Sequence, residues 1–166
     1  TIDPHRIGLS VNSIFLLLPF EQQISTIHDL LVRFDGPSTR IIANSYGAYL
    51  LTSAFIDKPA IASQVLLLSP LLGLTLVEEE KFYSRPPNQR SWSEALEQDR
   101  MTKPSYLEVC AGELDGGACS PTVVLEFSEL IRADQVQLIP DQGHQLDRSN
   151  VQAAIGEFLA NNDSGN

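Results

Sequence analysis

Ser45, Asp115 and His144 have the residue types of a nucleophile, an acid and a base. Ser45 lies in Ile41-Ile42-Ala43-Asn44-Ser45-Tyr46-Gly47-Ala48-Tyr49-Leu50, which reads as a short apolar strand, a sharp turn and the start of an apolar helix. A serine hydroxyl is a weak nucleophile until the backbone holds it out of the sheet beside a base. A strand–turn–helix with small residues two before and two after the serine supplies that geometry. Asp115 lies in Gly112-Glu113-Leu114-Asp115-Gly116-Gly117, just past an apolar run. A carboxylate there accepts a hydrogen bond from an imidazole and holds its tautomer; an aspartate before Gly-Gly is also what a solvated turn prefers. Glu113, closer to the strand, is the second choice for the acid. His144 follows the last apolar run on the turn Asp141-Gln142-Gly143-His144. Of the other two histidines, His5 lies in a segment that is hard to place and His28 falls inside an amphipathic pattern, as a boundary residue does.

The elements that must carry these residues follow from periodicity. Residues 14–18 and 65–68 are short apolar runs of strand length, and 39–44, 106–111 and 136–139 read as further strands. Ile24, Ile27, Leu30, Leu31 and Phe34 recur at helical spacing and place a helix over 21–34, stopped by Asp35-Gly36-Pro37-Ser38. Residues 46–56 are apolar around most of a helix and predict a buried one, with Gly47 letting it approach the strand closely. A short helix is expected near 93–100. Another spans 121–131, with Val124, Phe127, Leu130 and Ile131 on one side, and a last one covers 149–160, with Val151, Ile155, Phe158 and Leu159 inward. Strand runs with little polar alternation are buried on both faces. Their alternation with helices predicts a single α/β domain, a three-layer sandwich around a mostly parallel sheet. In such sheets sites form beyond the C-terminal ends of strands, where Ser45, Asp115 and His144 all fall.

The chain has 166 residues, 43 % of them apolar, enough for one domain with a real core. Residues 1–13 are left unassigned and 161–166 read as a frayed polar tail. Net charge is −10 and the eleven basic residues are scattered, which argues against a nucleic-acid groove and against an anionic membrane surface. Cys110 reads as a buried thiol and Cys119 as a loop residue; two cysteines do not make a disulfide scaffold, and nothing in their spacing demands that they pair. They also lack zinc-ligand spacing. Asp141 and Asp147 flank His144, but solvation explains two carboxylates on one loop, so no metal and no cofactor is expected. No apolar run reaches the roughly 18 residues of a membrane span, and no leader is recognisable, so a cytoplasmic location is expected. The oligomeric state is not readable.

The order Ser45, Asp115, His144 resembles that of the α/β-hydrolases, in which nucleophile, acid and histidine follow one another along the chain. The resemblance covers about residues 20–160. It departs from the family in two places: Ala43 stands where the elbow motif has its first glycine, and no His-Gly pair follows an early strand. The fold is therefore expected to be reduced or truncated at its N-terminus. The resemblance implies serine-dependent cleavage of a carboxylic ester or related acyl bond in a small-molecule substrate. It also implies an oxyanion hole from the backbone N–H of Tyr46 and one earlier donor. That donor is Phe20 or Glu21 if residues 14–18 are the preceding strand; otherwise the strand lies upstream. Leu71, Leu72, Leu74, Phe82 and Trp92 are candidates for an acyl pocket. The alternatives are a hydrolase-like binding protein without turnover, and a thioesterase or acyltransferase on the same scaffold.

Overall fold

A computed structural model describes residues 6–8, 18–57, 60–73, 91–116 and 119–160. The elements alternate: β1 (Arg6–Gly8), α1 (Phe20–Phe34), β2 (Arg40–Asn44), α2 (Tyr46–Phe55), β3 (Gln64–Leu68), α3 (Ser91–Glu97), β4 (Tyr106–Gly112), α4 (Pro121–Ile131), β5 (Gln135–Ile139) and α5 (Arg148–Ala160). The five strands form one sheet in sequence order, every pair parallel. Register carries Ile41 opposite Val65, Val65 opposite Leu107 and Val109 opposite Val136.

Strand order dictates where the helices go. A sheet that grows in one direction through crossovers of one hand stacks every crossover helix on the same face. Accordingly Ile27 and Leu31 of α1, Leu50, Leu51 and Phe55 of α2, Trp92 and Ala95 of α3 and Val124 and Phe127 of α4 share one core. Into it point Ile41, Val65, Leu67, Leu107, Val109 and Ala111. The alternate residues Leu66, Leu68 and Cys110 face the other way and are covered by Ala154 and Phe158 of α5. The sheet is thus sandwiched between two helical layers. This is why Val65–Leu68 of β3 reads as an unbroken apolar run and β4 is interrupted by a single charged residue, Glu108.

Several expectations shift in detail. Residues 6–8, left unassigned from sequence, pair with β2. The expected strand at 14–18 falls, apart from Leu18, outside the described residues. Leu130, expected inward, is 46 % exposed, and Val123 takes the buried place on α4. Gly47 is not a close-approach glycine, since a Cβ there would meet nothing within 4 Å. Cys110 and Cys119 are both buried thiols, not a disulfide.

On the α5 face β4 buries a carboxyl. Glu108 is fully buried; its Oε1, like Oε1 of Gln137 two positions past its partner Gln135 on β5, has no hydrogen-bond partner among the described residues. Burial pushes the Glu108 carboxyl above its ordinary range, the Tyr106 hydroxyl partly opposes this, and Glu157 on α5 adds to it. A carboxyl raised in the folded state contributes stability below its unfolded value and loses it as pH rises through the folded one. Glu108→Gln is therefore expected to melt higher than the parent at neutral pH, with the gap closing as pH falls into the ordinary carboxylate range. Thermal unfolding across that range checks it. In the opposite core Trp92 meets Phe127 edge-on at 5.2 Å. Phe127→Ala is expected to cost about 3–5 kcal/mol in urea unfolding, from lost transfer energy plus the cavity left behind.

Candidate active site

The turn after β2 holds Ser45 at φ 51° and ψ −118°, a backbone that L-residues rarely adopt. Such a conformation costs about 1–3 kcal/mol and persists only where its surroundings over-determine it. Here they do. The Ser45 N–H donates to Leu68 O of β3 at 2.9 Å, and the Ser45 carbonyl accepts from Ala48 N at 3.0 Å, Tyr49 N at 3.2 Å and Leu71 N at 3.4 Å. The side chain makes no cap bond to its own helix and so stays available to other groups.

Asp115 and His144 are brought together by two turns that lock into each other. Glu113 N–H donates to Ile139 O at 2.9 Å, and Leu114 N–H donates to Gln142 O at 2.8 Å, so the loop after β4 is bonded directly to the end of β5 and its turn. At the crossing sits Gly112, where a Cβ would lie 2.3 Å from Gly143 O and 2.4 Å from Gln142 O. Only glycine permits that approach. The Gln142 side chain closes the histidine loop from the other side. Its Oε1 accepts from Asp147 N at 2.8 Å and its Nε2 donates to Asp147 Oδ2 at 3.2 Å.

The result is a chain of contacts: Ser45 Oγ lies 2.9 Å from His144 Nε2, and His144 Nδ1 lies 2.9 Å from Asp115 Oδ2. A carboxylate only accepts, so Nδ1 carries the proton and Nε2 is left to accept from the serine hydroxyl. The Asp115 side chain is 3 % exposed while that of His144 is 42 % exposed. The carboxylate is therefore shielded and the imidazole open to solvent. A cavity of about 430 Å³ opens beside them, with Ser45, His144, Leu71, Leu146 and Val151 among its walls.

All three sequence-predicted residues thus meet within one hydrogen-bonded line. Glu113, the competing acid, is exposed and bonded through its backbone. Tyr46 opens α2, where helix geometry offers its N–H no intrahelical acceptor. Phe20 opens α1, and its ring packs 5.8 Å from that of Tyr49. The Tyr46 hydroxyl donates to Gln23 Oε1 at 3.1 Å. The first turns of α1 and α2 are therefore tied side by side. Leu71 lines the cavity as expected, whereas Leu72 and Trp92 belong to the main core, where Trp92 Nε1 donates to Leu72 O. Leu74 and Phe82 lie outside the described residues.

Sequence reasoning missed Gly112, whose signal was present as the small residue ending an apolar run. It also missed Cys119, which is fully buried beside Asp115 and His144. Leu146 and Val151 carried no signal beyond being apolar.

The fold with this layout is that of the α/β-hydrolases. Among solved structures the chain is similar to the monoacylglycerol lipase of Paleococcus ferrophilus, with a TM-score of 0.61, 13 % identity and 86 % of this chain aligned to 75 % of that one. It is likewise similar to an α/β-hydrolase enzyme from a lagoon-sediment metagenome of Mar Chica, Morocco, with a TM-score of 0.57, 13 % identity and coverage of 90 % and 73 %. A third is acetyl xylan esterase 1 from Thermoanaerobacterium sp. JW/SL YS485, with a TM-score of 0.55, 16 % identity and coverage of 95 % and 61 %. No protein-family model and no curated protein matches the sequence.

Gly112→Ala is expected to destabilise the fold by about 1–3 kcal/mol, as over-packing does, and to separate His144 from Asp115. Unfolding curves read the first effect, and the loss of the downfield imidazole Nδ1–H proton resonance reads the second.

Proposed function

We propose that this chain is a serine hydrolase that cleaves a carboxylic ester, or a related acyl bond, of a small-molecule substrate. The observation that carries the reading is the unbroken line Ser45 Oγ–His144 Nε2 and His144 Nδ1–Asp115 Oδ2, both at 2.9 Å, beside an open cavity. An esterase and a lipase among the structurally similar proteins accord with it.

In this reading Ser45 Oγ attacks the substrate carbonyl as His144 Nε2 takes its proton. Asp115 holds the imidazole in the Nδ1–H tautomer and offsets the charge it gains. The Tyr46 N–H, at the positive end of α2, donates to the developing oxyanion. Phe20, opening the helix tied alongside, is assigned the second backbone donor. His144 then returns the proton to the leaving alkoxide, and a water activated by the same nitrogen releases the acyl group from Ser45.

A fluorophosphonate probe is expected to form one adduct, mapped by mass spectrometry to Ser45 and absent from Ser45→Ala. Asp115→Asn, which inverts the hydrogen bond to Nδ1, is expected to lower hydrolysis of a short-chain p-nitrophenyl ester by about three to four orders of magnitude. Folded protein that neither labels nor turns over the ester would refute the reading and favour a binding role on the same fold.

A further inference from the structure

Beside the Asp115–His144 pair lies a third group with metal-binding chemistry. Cys119, at the end of the loop that precedes α4, is fully buried, and its Sγ donates to Ser69 O at 3.2 Å. One ligand atom each from Asp115, Cys119 and His144 can be drawn such that all lie within 4.8 Å of one another. The donor atoms of a tetrahedral zinc site stand about 3–4 Å apart, given bonds of about 2.0–2.3 Å. The observed spacing closes onto an ion with shifts of an ångström or less.

Chemistry narrows the ion. One sulfur, one imidazole nitrogen and one carboxylate oxygen suit borderline divalent metals such as zinc and cobalt, and do not suit magnesium or calcium, which take oxygen shells. Thiolate and carboxylate together carry two negative charges, so a divalent ion with a neutral imidazole makes the cluster neutral. Neutrality matters because two of its three members are buried. His144, with its exposed side chain, is the side from which an ion enters, and the chain's net charge of −10 favours the approach of cations.

We propose that Asp115, Cys119 and the Nδ1 of His144 form a site for a zinc-like divalent ion, and that the ion acts as a reversible inhibitor of the Ser45 centre. Its binding balances simply. The thiol proton leaves to solvent as the metal–sulfur bond forms. The Nδ1 proton of the neutral imidazole is replaced by the metal and the ring is reprotonated at Nε2, through solvent. Nε2 then donates toward Ser45 Oγ and cannot accept its proton, so the ion removes the base without touching the serine. The site itself rests on the side-chain geometry, and the inhibition arm alone rests on the hydrolase reading.

The test is cobalt titration of the purified chain, followed by ultraviolet absorption. One equivalent is expected to give a thiolate-to-cobalt charge-transfer band that zinc displaces and magnesium does not. The band should vanish in Cys119→Ala and persist in Cys110→Ala, whose thiol lies in the core on the other face with its pKa pushed up to about 11. His144→Ala, altered at an exposed position, should weaken cobalt binding at least tenfold, and decides the point should Cys119→Ala not fold. Fluorophosphonate labelling of Ser45 should fall at least tenfold at saturating zinc and recover with a chelator. No thiolate band in the parent chain, a band that survives Cys119→Ala, or His144→Ala binding at parental affinity would overturn the site. Labelling that is undiminished at saturating zinc would overturn the inhibition. Absence of labelling before any metal is added would instead overturn the hydrolase reading, and the absorption would still decide the site.

Discussion

A strained serine is held where β2 and β3 end and α2 begins. Ser45 occupies a left-handed backbone at the end of β2, and it stays there because Leu68 at the end of β3 accepts its N–H while α2 and Leu71 use its carbonyl. The bonds to Leu68 and Leu71 depend on β2 and β3 pairing in their observed parallel register, Asn44 opposite Leu68. The same pairing continues through Leu68 opposite Cys110 and Gly112 opposite Ile139. The strand ends therefore lie in step, and the three turns that carry Ser45, Asp115 and His144 leave one edge of the sheet together. The core beneath supplies the free energy that keeps the strained turn in place.

The opposite edge is fastened with carboxylates. Asp35, capping the end of α1, accepts from Ala62 N and Ser63 N ahead of β3. Asp134, ahead of β5, accepts from Leu107 N and from Lys103 Nζ, while its own N–H donates to Leu107 O. Each carboxylate fixes where a strand begins, and thereby how far its far end reaches. Aspartate serves here because its short side chain satisfies the backbone donors that a strand entry leaves open. At the upper edge Gly112 has the complementary part: by having no side chain it lets the acid loop and the histidine turn share backbone hydrogen bonds.

The two sheet faces differ in chemistry. One core is almost wholly apolar and is covered by four helices. Among the described residues the other is covered by one helix, α5, and holds Glu108, Tyr106, Gln135 and Gln137 near one another on β4 and β5. The arrangement follows from sequential strand order, which sends every crossover helix to one side and leaves the last helix to cover the rest.

Much of this architecture is written in the sequence. The unbroken apolar run Val65–Leu68, and Tyr106–Ala111 with Glu108 as its one charged residue, announce strands buried on both faces, and the 3.6-residue recurrence of Ile27 and Leu31 announces a helix lying on them. Ser45, Asp115 and His144 were legible because each follows such a run, and position after a parallel strand is itself positional information. What remained hidden depends on contacts between segments far apart in the chain. A three-residue strand at Arg6–Gly8 is too short for periodicity and exists through its pairing with β2. Gly47 and Gly112 look alike in sequence, yet only Gly112 meets another backbone, because crowding is set by what packs opposite. Cys119 stands next to Asp115 and His144 because α4 begins where the acid loop ends, a placement no local pattern encodes. Side-chain pattern along the chain determines which elements form and which faces they bury; the tertiary structure alone decides which turns meet, because those distances depend on register and packing between residues about a hundred positions apart.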